Sequence, residues 1–371
     1  MKNIKCGISV FPDFLDTNDV QNTYHYISEA AKLGYCEVFT SLHIPELCYD
    51  NHLSAMEDLS KHVRKNNMEL SVDISGTELL HLLQNEKTMN QILKIAPDWL
   101  RFDFGFSLDE VCQVVELLGL QGIMLNASVL DEDEVAEYYS VLKNRFPKLK
   151  LRAHHNYYPM PETGLSLEFL KQRSAQYLPY KISVTACVAS HNGARLPLKK
   201  GLPTVEAHRW IDCQQAAVEL ISTGVIDSIL IGDPYASQKE LEEISDVCVR
   251  RLLTLAVKTE PNVTLEEYKI AFSCIHHSRP DLAASAIRSL TSREMAAQGQ
   301  QIPVRHPEPR EKYKVTMGNE NALRYSGELN LITEDLPMSC TQNIIGNIIP
   351  EDRWKLDYIM PGTFFRLIDS V

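Results

Sequence analysis

The stretch Ile4-Lys5-Cys6-Gly7-Ile8-Ser9-Val10-Phe11-Pro12-Asp13 decides between two ways of building an α/β protein. Residues 4–10 read as a β-strand, and the strand runs into Phe11-Pro12-Asp13. An open doubly wound sheet would place a glycine-rich phosphate loop there, and neither G-x-G-x-x-G nor a Walker A pattern is present. Working outward, short β-branched runs recur at residues 36–41, 69–74, 99–104, 122–126, 149–154, 182–188 and 228–231. Amphipathic stretches with helical spacing separate them, at 20–33, 53–67, 108–118, 131–146, 165–177, 204–222 and 238–255. Gly34 and Gly224 act as helix stops, and Pro147 follows the 131–146 stretch. Strand–helix alternation repeated eight times over about 255 residues predicts an α/β chain with a (β/α)8 TIM barrel.

Around Lys258-Thr259-Glu260-Pro261-Asn262 the pattern changes. Short strands and turns follow at 313–317, 326–332, 343–349 and 358–368, with little helical period. Residues 1–258 are therefore expected to form the barrel and residues 259–371 a small β domain, itself a compact barrel. The 371 residues exceed the usual size of one core, in keeping with two domains. Hydrophobic residues at 44% and charged residues at 23% exclude a disordered or fibrous chain. A net charge of −12 argues against a nucleic-acid partner. No apolar run approaches the roughly 18 residues of a membrane span, and the first run is too short for a signal-peptide core. The nine scattered cysteines contain no C-x-x-C and read as reduced core residues of a cytoplasmic protein.

In a TIM barrel the chemistry sits at the C-terminal ends of the strands. The polar residues expected there are Ser9, then Thr40 and Ser41 with His43 and Glu46, then Asp73 and Ser75. Arg101 and Asp103 follow on the fourth strand, and Asn126 and Ser128 on the fifth. The sixth offers Arg152, His154, His155, Asn156 and Tyr157, the seventh Ser190 and His191, the eighth Asp233 and Tyr235. Residues two apart on a strand share a face, so Arg101 pairs with Asp103, and Arg152 with His154 and Asn156.

Several chemistries lack their residues. The strand-associated lysines Lys5, Lys150 and Lys181 stand at strand starts, on the wrong face for a Schiff base. The first strand carries no H-x-H, and no H-E-x-x-H occurs. A metal held by His154 or His155 with Asp73, Asp103 or Asp233 stays open as a minor reading. What remains is a ring of carboxylates, Asp73, Asp103 and Asp233, with Glu46 and Glu162 on adjacent loops. Two carboxyl groups serve acid–base or nucleophilic cleavage of a glycosidic bond, a signal that isomerases share.

Longer segments carry a resemblance. They are Phe39-Thr40-Ser41-Leu42-His43-Ile44-Pro45-Glu46, Leu100-Arg101-Phe102-Asp103-Phe104-Gly105-Phe106, Leu125-Asn126-Ala127-Ser128 and His154-His155-Asn156-Tyr157-Tyr158-Pro159. Glu162-Thr163-Gly164-Leu165, Gly201-Leu202-Pro203-Thr204-Val205-Glu206 with His208-Arg209, and Ile231-Gly232-Asp233 complete the barrel set. Together they resemble the 6-phospho-N-acetylmuramidase family (glycoside hydrolase family 170). In the tail, Arg324-Tyr325-Ser326-Gly327-Glu328-Leu329 looks like that family's cyclophilin-like C-terminal barrel. The stretches 190–198 and the tail before Tyr313 depart from the common form.

The resemblance implies cytoplasmic cleavage of the disaccharide N-acetylmuramic acid 6-phosphate–N-acetylglucosamine in cell-wall recycling, without a cofactor or metal. Asp103 and Asp233 are the acting carboxylates on this reading, with Asp73 supporting or replacing one of them. The 2-acetamido group could instead attack the anomeric carbon, with Asp73 or Asp103 orienting it. Arg101, Asn126, His154, His155, Asn156, Tyr157 and Glu162 are expected to hold the substrate. A phosphorylated, carboxylate-bearing sugar calls for arginine, and Arg195, Arg209, Arg305 and Arg310 are the candidates. The alternatives are a sugar-phosphate isomerase or epimerase, with or without a metal, and a non-catalytic sugar-phosphate sensor. Whether the chain forms a homo-oligomer stays open.

Overall fold

The computed structural model describes residues 4–11, 17–42, 49–75, 86–195, 198–296 and 302–370. Eight parallel strands pair in chain order: β1 (Lys5–Ser9), β2 (Glu37–Ser41), β3 (Glu69–Ile74), β4 (Trp99–Phe102), β5 (Gly122–Asn126), β6 (Lys150–His154), β7 (Ser183–Val188) and β8 (Ser228–Ile231). β1 also pairs with β8, which closes the sheet into the expected TIM barrel.

Strand alternation sorts the side chains into two environments. Outward residues such as Ile8, Val38, Leu70, Leu100, Ile123, Ala153, Val184 and Ile229 join one large apolar cluster with the helices. The smaller inner cluster is Phe39, Cys187 and Leu230, with Phe11 and Tyr157 packed on it. Gly7 is needed between these layers, because a Cβ there would stand 2.9 Å from Leu230 Cδ1.

Below this cluster the interior is ionic. Arg152 donates from Nη1 to Glu37 at 3.2 Å and from Nη2 to Glu69 at 2.7 Å, while its guanidinium stacks 3.8 Å over Trp99. Ser71 Oγ donates to Glu37 at 2.7 Å. Burial pushes the Glu37 carboxyl up, and Arg152 opposes that shift. The arginine of the sixth strand is therefore structural.

Capping shows why the barrel helices begin where they do. Ser107, Asp131 and Ser237 each start a helix with a reciprocal capping box to the Glu three positions on. Among the described residues no helix is long and apolar enough to cross a membrane.

Residues Met1–Val249 and Arg250–Val371 are two compact units. The second is built on a curled sheet of β9 (Leu252–Thr259), β10 (Ile275–His277), β11 (Ala286–Arg288), β12 (Lys314–Gly318), β13 (Leu329–Ile332), β14 (Gln342–Ile348) and β15 (Phe364–Asp369). Its order is β10-β15-β9-β14-β12-β13-β11, with β15 and β9 parallel.

Two single-helix readings of the sequence are corrected here. The stretch 238–255 is not one helix: the α-helix Gln238–Ser245 runs into a π turn, Asp246–Arg250, and β9 follows. Arg251, at φ 55°, breaks the helical path, and the apolar run after it is a central strand paired on both edges. Periodicity cannot separate a buried strand from a buried helix. β9 ends at Thr259. The stretch 204–222 divides into a 3-10 turn, Glu206–Arg209, and a helix, Cys213–Ser222, restarted by the Asp212 cap. The second unit also contains two short α-helices, Leu265–Phe272 and Thr291–Ala296.

Replacing Arg152 with Met would leave Glu37 buried without its cation. We expect a loss of about 3–5 kcal/mol in urea unfolding, with little change in slope. A loss under about 1 kcal/mol would mean that Glu37 is carried neutral.

Candidate active site

At the C-terminal end of the barrel one buried guanidinium gathers the carboxylates. Arg101, on β4 and 4% exposed, donates from Nη1 to Asp73 Oδ1 at 2.7 Å and to Asp103 Oδ1 at 2.9 Å. Its Nη2 donates to Asn156 Oδ1. Burial works against the Arg101 charge, but Asp73 and Asp103 outweigh it and raise its pKa. Because both Oδ1 atoms sit on one nitrogen, they are no farther apart than the two bonds allow. The side chains of Asp73 and Asp103 are 14% and 27% exposed, so both reach the mouth. Asn126 Nδ2 donates to Asp103 Oδ1 at 3.0 Å, and its own Oδ1 accepts the Ser128 N–H at 3.1 Å. Asn126 is thus buried and holds Asp103.

A second group stands beside this one. Arg195 Nη1 donates to the Tyr157 hydroxyl at 3.3 Å, and its guanidinium lies 4.0 Å over Phe11. Tyr157 packs edge-on against Phe11 and Phe39. Burial raises the Tyr157 pKa, Asp73 adds to the shift, and Arg195 and Arg101 oppose it. Among the described residues the Arg195 side chain has no carboxylate partner. The mouth therefore offers a carboxylate pair, an uncompensated guanidinium and an aromatic wall.

Asp233 lies beneath backbone at the end of β8. It is 0% exposed and accepts the backbone N–H of Ser190 at 3.0 Å, of Leu202 at 2.9 Å and of Arg195 at 3.1 Å. Burial pushes its carboxyl up, and those amides oppose the shift. A covered carboxylate with three amide donors sets the backbone that carries Arg195. Glu240 helps by accepting the His191 N–H at 2.9 Å and the Ser190 hydroxyl at 3.0 Å.

Arg209 is likewise withdrawn from the substrate set. It forks onto Glu206, Nε and Nη2 each donating at 2.7 Å, and its remaining protons go to the carbonyls of Tyr158, Met160, Lys200 and Gly201. Glu206 also accepts the N–H of Glu162 and Gly164, both at 2.9 Å. A Cβ on Gly164 would meet Glu206 Oε2 at 2.6 Å, so the motif needs glycine there. Hydrogen bonds from Arg209 above all, then from these amides, hold the Glu206 carboxyl down at about 2. The Glu162 side chain itself is exposed at the loop surface.

The two histidines are buried and neutral. His154 Nε2 lies 3.4 Å from Cys187 Sγ, its ring meets Phe39 edge-on, and burial with Arg101 nearby pushes its pKa well down. His155 faces the helices, between Ser128 Oγ at 3.1 Å and Ser174 Oγ at 2.9 Å. Ser174 already donates to Leu170 O, so His155 Nε2 carries the proton and Nδ1 accepts from Ser128. Burial brings His155 down to about 3. Neither histidine is exposed to a ligand at the mouth.

In the second unit, Arg305 is tied to the buried Glu267 at 3.1 Å, to Asn262 at 2.6 Å and to Ile344 O at 2.5 Å, a structural role. Arg310 is spent less, with Nε donating to Pro337 O at 3.0 Å. His43 and Glu46 lie outside the described residues. Among the described residues, Asp212, Cys213 and Glu243 are a group whose ligand atoms could close on a cation. It sits at the start of the helix Cys213–Ser222 and includes none of the residues expected to hold a metal. Phe11, Glu206 and Glu240 join the site from positions with no expected role in it. Only Glu206, inside a recognised motif, carried a signal.

Comparison with known proteins places these residues in a family context. Residues 6–246 match the N-terminal region of 6-phospho-N-acetylmuramidase, and residues 253–368 match its C-terminal region. Two solved structures resemble the whole chain. An uncharacterized B. cereus protein is 28% identical, with 99% of this chain and 100% of that chain covered and a TM-score of 0.76. A conserved protein of unknown function from an Enterococcus faecalis locus is 30% identical, with 99% and 96% covered and the same TM-score of 0.76. None of the curated protein sequences matches.

The Glu206 carboxyl drops from an ordinary 4.5 to about 2 on folding, so its contribution is full above 4.5 and is lost as pH falls toward 2. Resistance of the 156–165 loop to proteolysis should fall over that window. In Glu206→Gln it should already be low at neutral pH and flat below it. Equal acid sensitivity in both proteins would remove the Glu206–Arg209 pair from this role.

Proposed function

This chain belongs to the 6-phospho-N-acetylmuramidase family, and from that premise we propose that it hydrolyses the glycosidic bond of N-acetylmuramic acid 6-phosphate–N-acetylglucosamine. The observation that carries the reading is the sharing of Arg101 Nη1 by Asp73 and Asp103. Glycosidases that keep anomeric configuration hold their carboxyl groups about 5–5.5 Å apart, whereas inverting enzymes leave about 6.5–9.5 Å for a water. A pair gathered on one nitrogen belongs with the short spacing. Asp103, the more exposed of the two, meets the reacting sugar, either at the anomeric carbon or at the 2-acetamido group that attacks it. Asp73 is the second carboxyl of the pair and protonates the leaving oxygen, Arg101 orients both, and Asn126 holds Asp103 from β5.

Arg195 is offered to the substrate's anionic group, and the rings of Tyr157 and Phe11 flank that position. Guanidinium suits a phosphate because its planar fork matches two oxygens at once. Asp233 acts through Arg195 and so is a positioning residue. Cell-wall recycling inside the cytoplasm, and a cyclophilin-like kinship for the second unit, fit the same family reading.

The test is a chromogenic N-acetylmuramic acid glycoside, with and without its 6-phosphate, in the presence and absence of a chelator. Release from the phosphorylated form alone, unaffected by chelator and with retained configuration by proton NMR, is the expected result. Release from neither form overturns the activity, and inversion removes Asp73 and Asp103 as the working pair. Asp103→Asn should lower kcat by about a hundredfold or more. Asp233→Asn should instead raise KM, about tenfold, with a smaller effect on kcat. Arg195→Gln should erase the preference for the phosphorylated substrate.

A further inference from the structure

The motif Arg324-Tyr325-Ser326-Gly327-Glu328-Leu329 plays no part in the chemistry at the barrel mouth, yet it forms one wall of a cleft in the second unit. That cleft encloses about 540 Å³, and its lining includes Arg279, Arg293, Arg324, Leu290, Leu323 and Ser326. The three arginines are not equally spent. Asp281 neutralises Arg279 through bonds of 2.8 and 3.1 Å. Among the described residues Arg293 has only Glu328 as a carboxylate partner, at 3.7 Å, and that carboxylate is already held by Arg288 at 3.3 Å. Arg324 donates to the Tyr325 hydroxyl at 2.9 Å and has no carboxylate partner among the described residues. The guanidinium carbons of Arg293 and Arg324 lie 5.2 and 5.0 Å from the Tyr325 ring centre.

The wall is rigid. Gly327 N–H donates to Gly318 O at 2.7 Å, and Gly318 N–H to Glu328 O at 3.0 Å. A Cβ on Gly318 would stand 2.2 Å from Tyr325 O, so the strand and the motif meet without room for a side chain. Ser326 Oγ is buried and has no hydrogen-bond partner among the described residues. Leu323 keeps φ 52° and ψ −119° while 81% exposed, a strained backbone that burial does not repay. In a chain of net charge −12, two weakly compensated guanidiniums in one cleft reverse the local sign.

We propose that this cleft binds a small phosphate monoester, with Arg293 and Arg324 on the phosphoryl oxygens and Leu290 and Leu323 against its carbon skeleton. A carboxylate is satisfied by one guanidinium fork, whereas a dianion matches the two charges left over here. Glu294, exposed on the lining, opposes the ligand, so its charge sets an upper limit on affinity. The site rests on the second unit's own residues and not on the reaction at the barrel.

Calorimetric titration of the full-length Asp103→Asn chain with glucose 6-phosphate, glucose and glucuronate tests it. Glucose 6-phosphate should bind and glucose should not. Arg293→Gln and Arg324→Gln, each checked for an unchanged Tm, should weaken binding about tenfold or more. Glu294→Gln should tighten it. The proposal is overturned by no binding of glucose 6-phosphate, by equal binding of glucuronate, or by unchanged affinity in both arginine variants. Binding lost in Arg195→Gln and kept in Arg293→Gln and Arg324→Gln would assign the anion to the barrel mouth instead. Because hydrolysis is not the readout, failure here leaves the proposed reaction standing, and the reverse also holds.

Discussion

The barrel mouth depends on the burial of Arg101. A guanidinium taken out of water is costly unless charge and hydrogen bonds replace its solvation. Here Asp73 from β3, Asp103 just past β4 and Asn156 past β6 provide that replacement. The dependence is mutual. Two aspartates at the ends of adjacent strands would repel without the cation, and the cation would not stay buried without them. Asn126 then holds Asp103 from β5, so four successive strands contribute to one arrangement. Catalytic geometry of this kind comes from fixed dipoles and charges, with little left to reorganise when a substrate arrives.

Much of the other charge in these motifs is architecture. Glu206 and Arg209 stitch the loop after β6 to the loop after β7, and Asp233 with Glu240 fixes the backbone around Arg195. Loops at a barrel mouth have no strand ladder to satisfy their amides, so carboxylates do it for them. This division matters for reading the family motifs. A motif residue can be indispensable because it holds another residue in place, and burial separates the two roles. Asp103 and Asp233 are both aspartates just past barrel strands, yet only one is reachable.

The barrel was legible because its signal is local. Eight strand–helix alternations, the parity of Arg101 with Asp103, and that of Arg152 with His154 and Asn156 all follow from the two-residue period of a strand. The second unit was less so. β9 is a central strand with partners at residues 346–348 and 364–369, and a fully buried strand shows no alternation. The arginine cleft is assembled from residues 279, 290–296 and 323–326, which share no spacing that a motif would reveal.

The sequence by itself determined the fold class, the polar faces of the barrel strands and the family to which the chain belongs. Those properties are carried by periodicity and by contiguous residues. Only the tertiary structure decided which carboxylates stay open at the barrel mouth and which face backbone amides. Asp233 is covered because the backbone at Ser190, Arg195 and Leu202 turns three N–H groups to its oxygens. Asp73 and Asp103 stay open because Arg101 meets them from below, inside the barrel. Accessibility and hydrogen-bond partners are set by residues distant in the chain, and no local pattern encodes them.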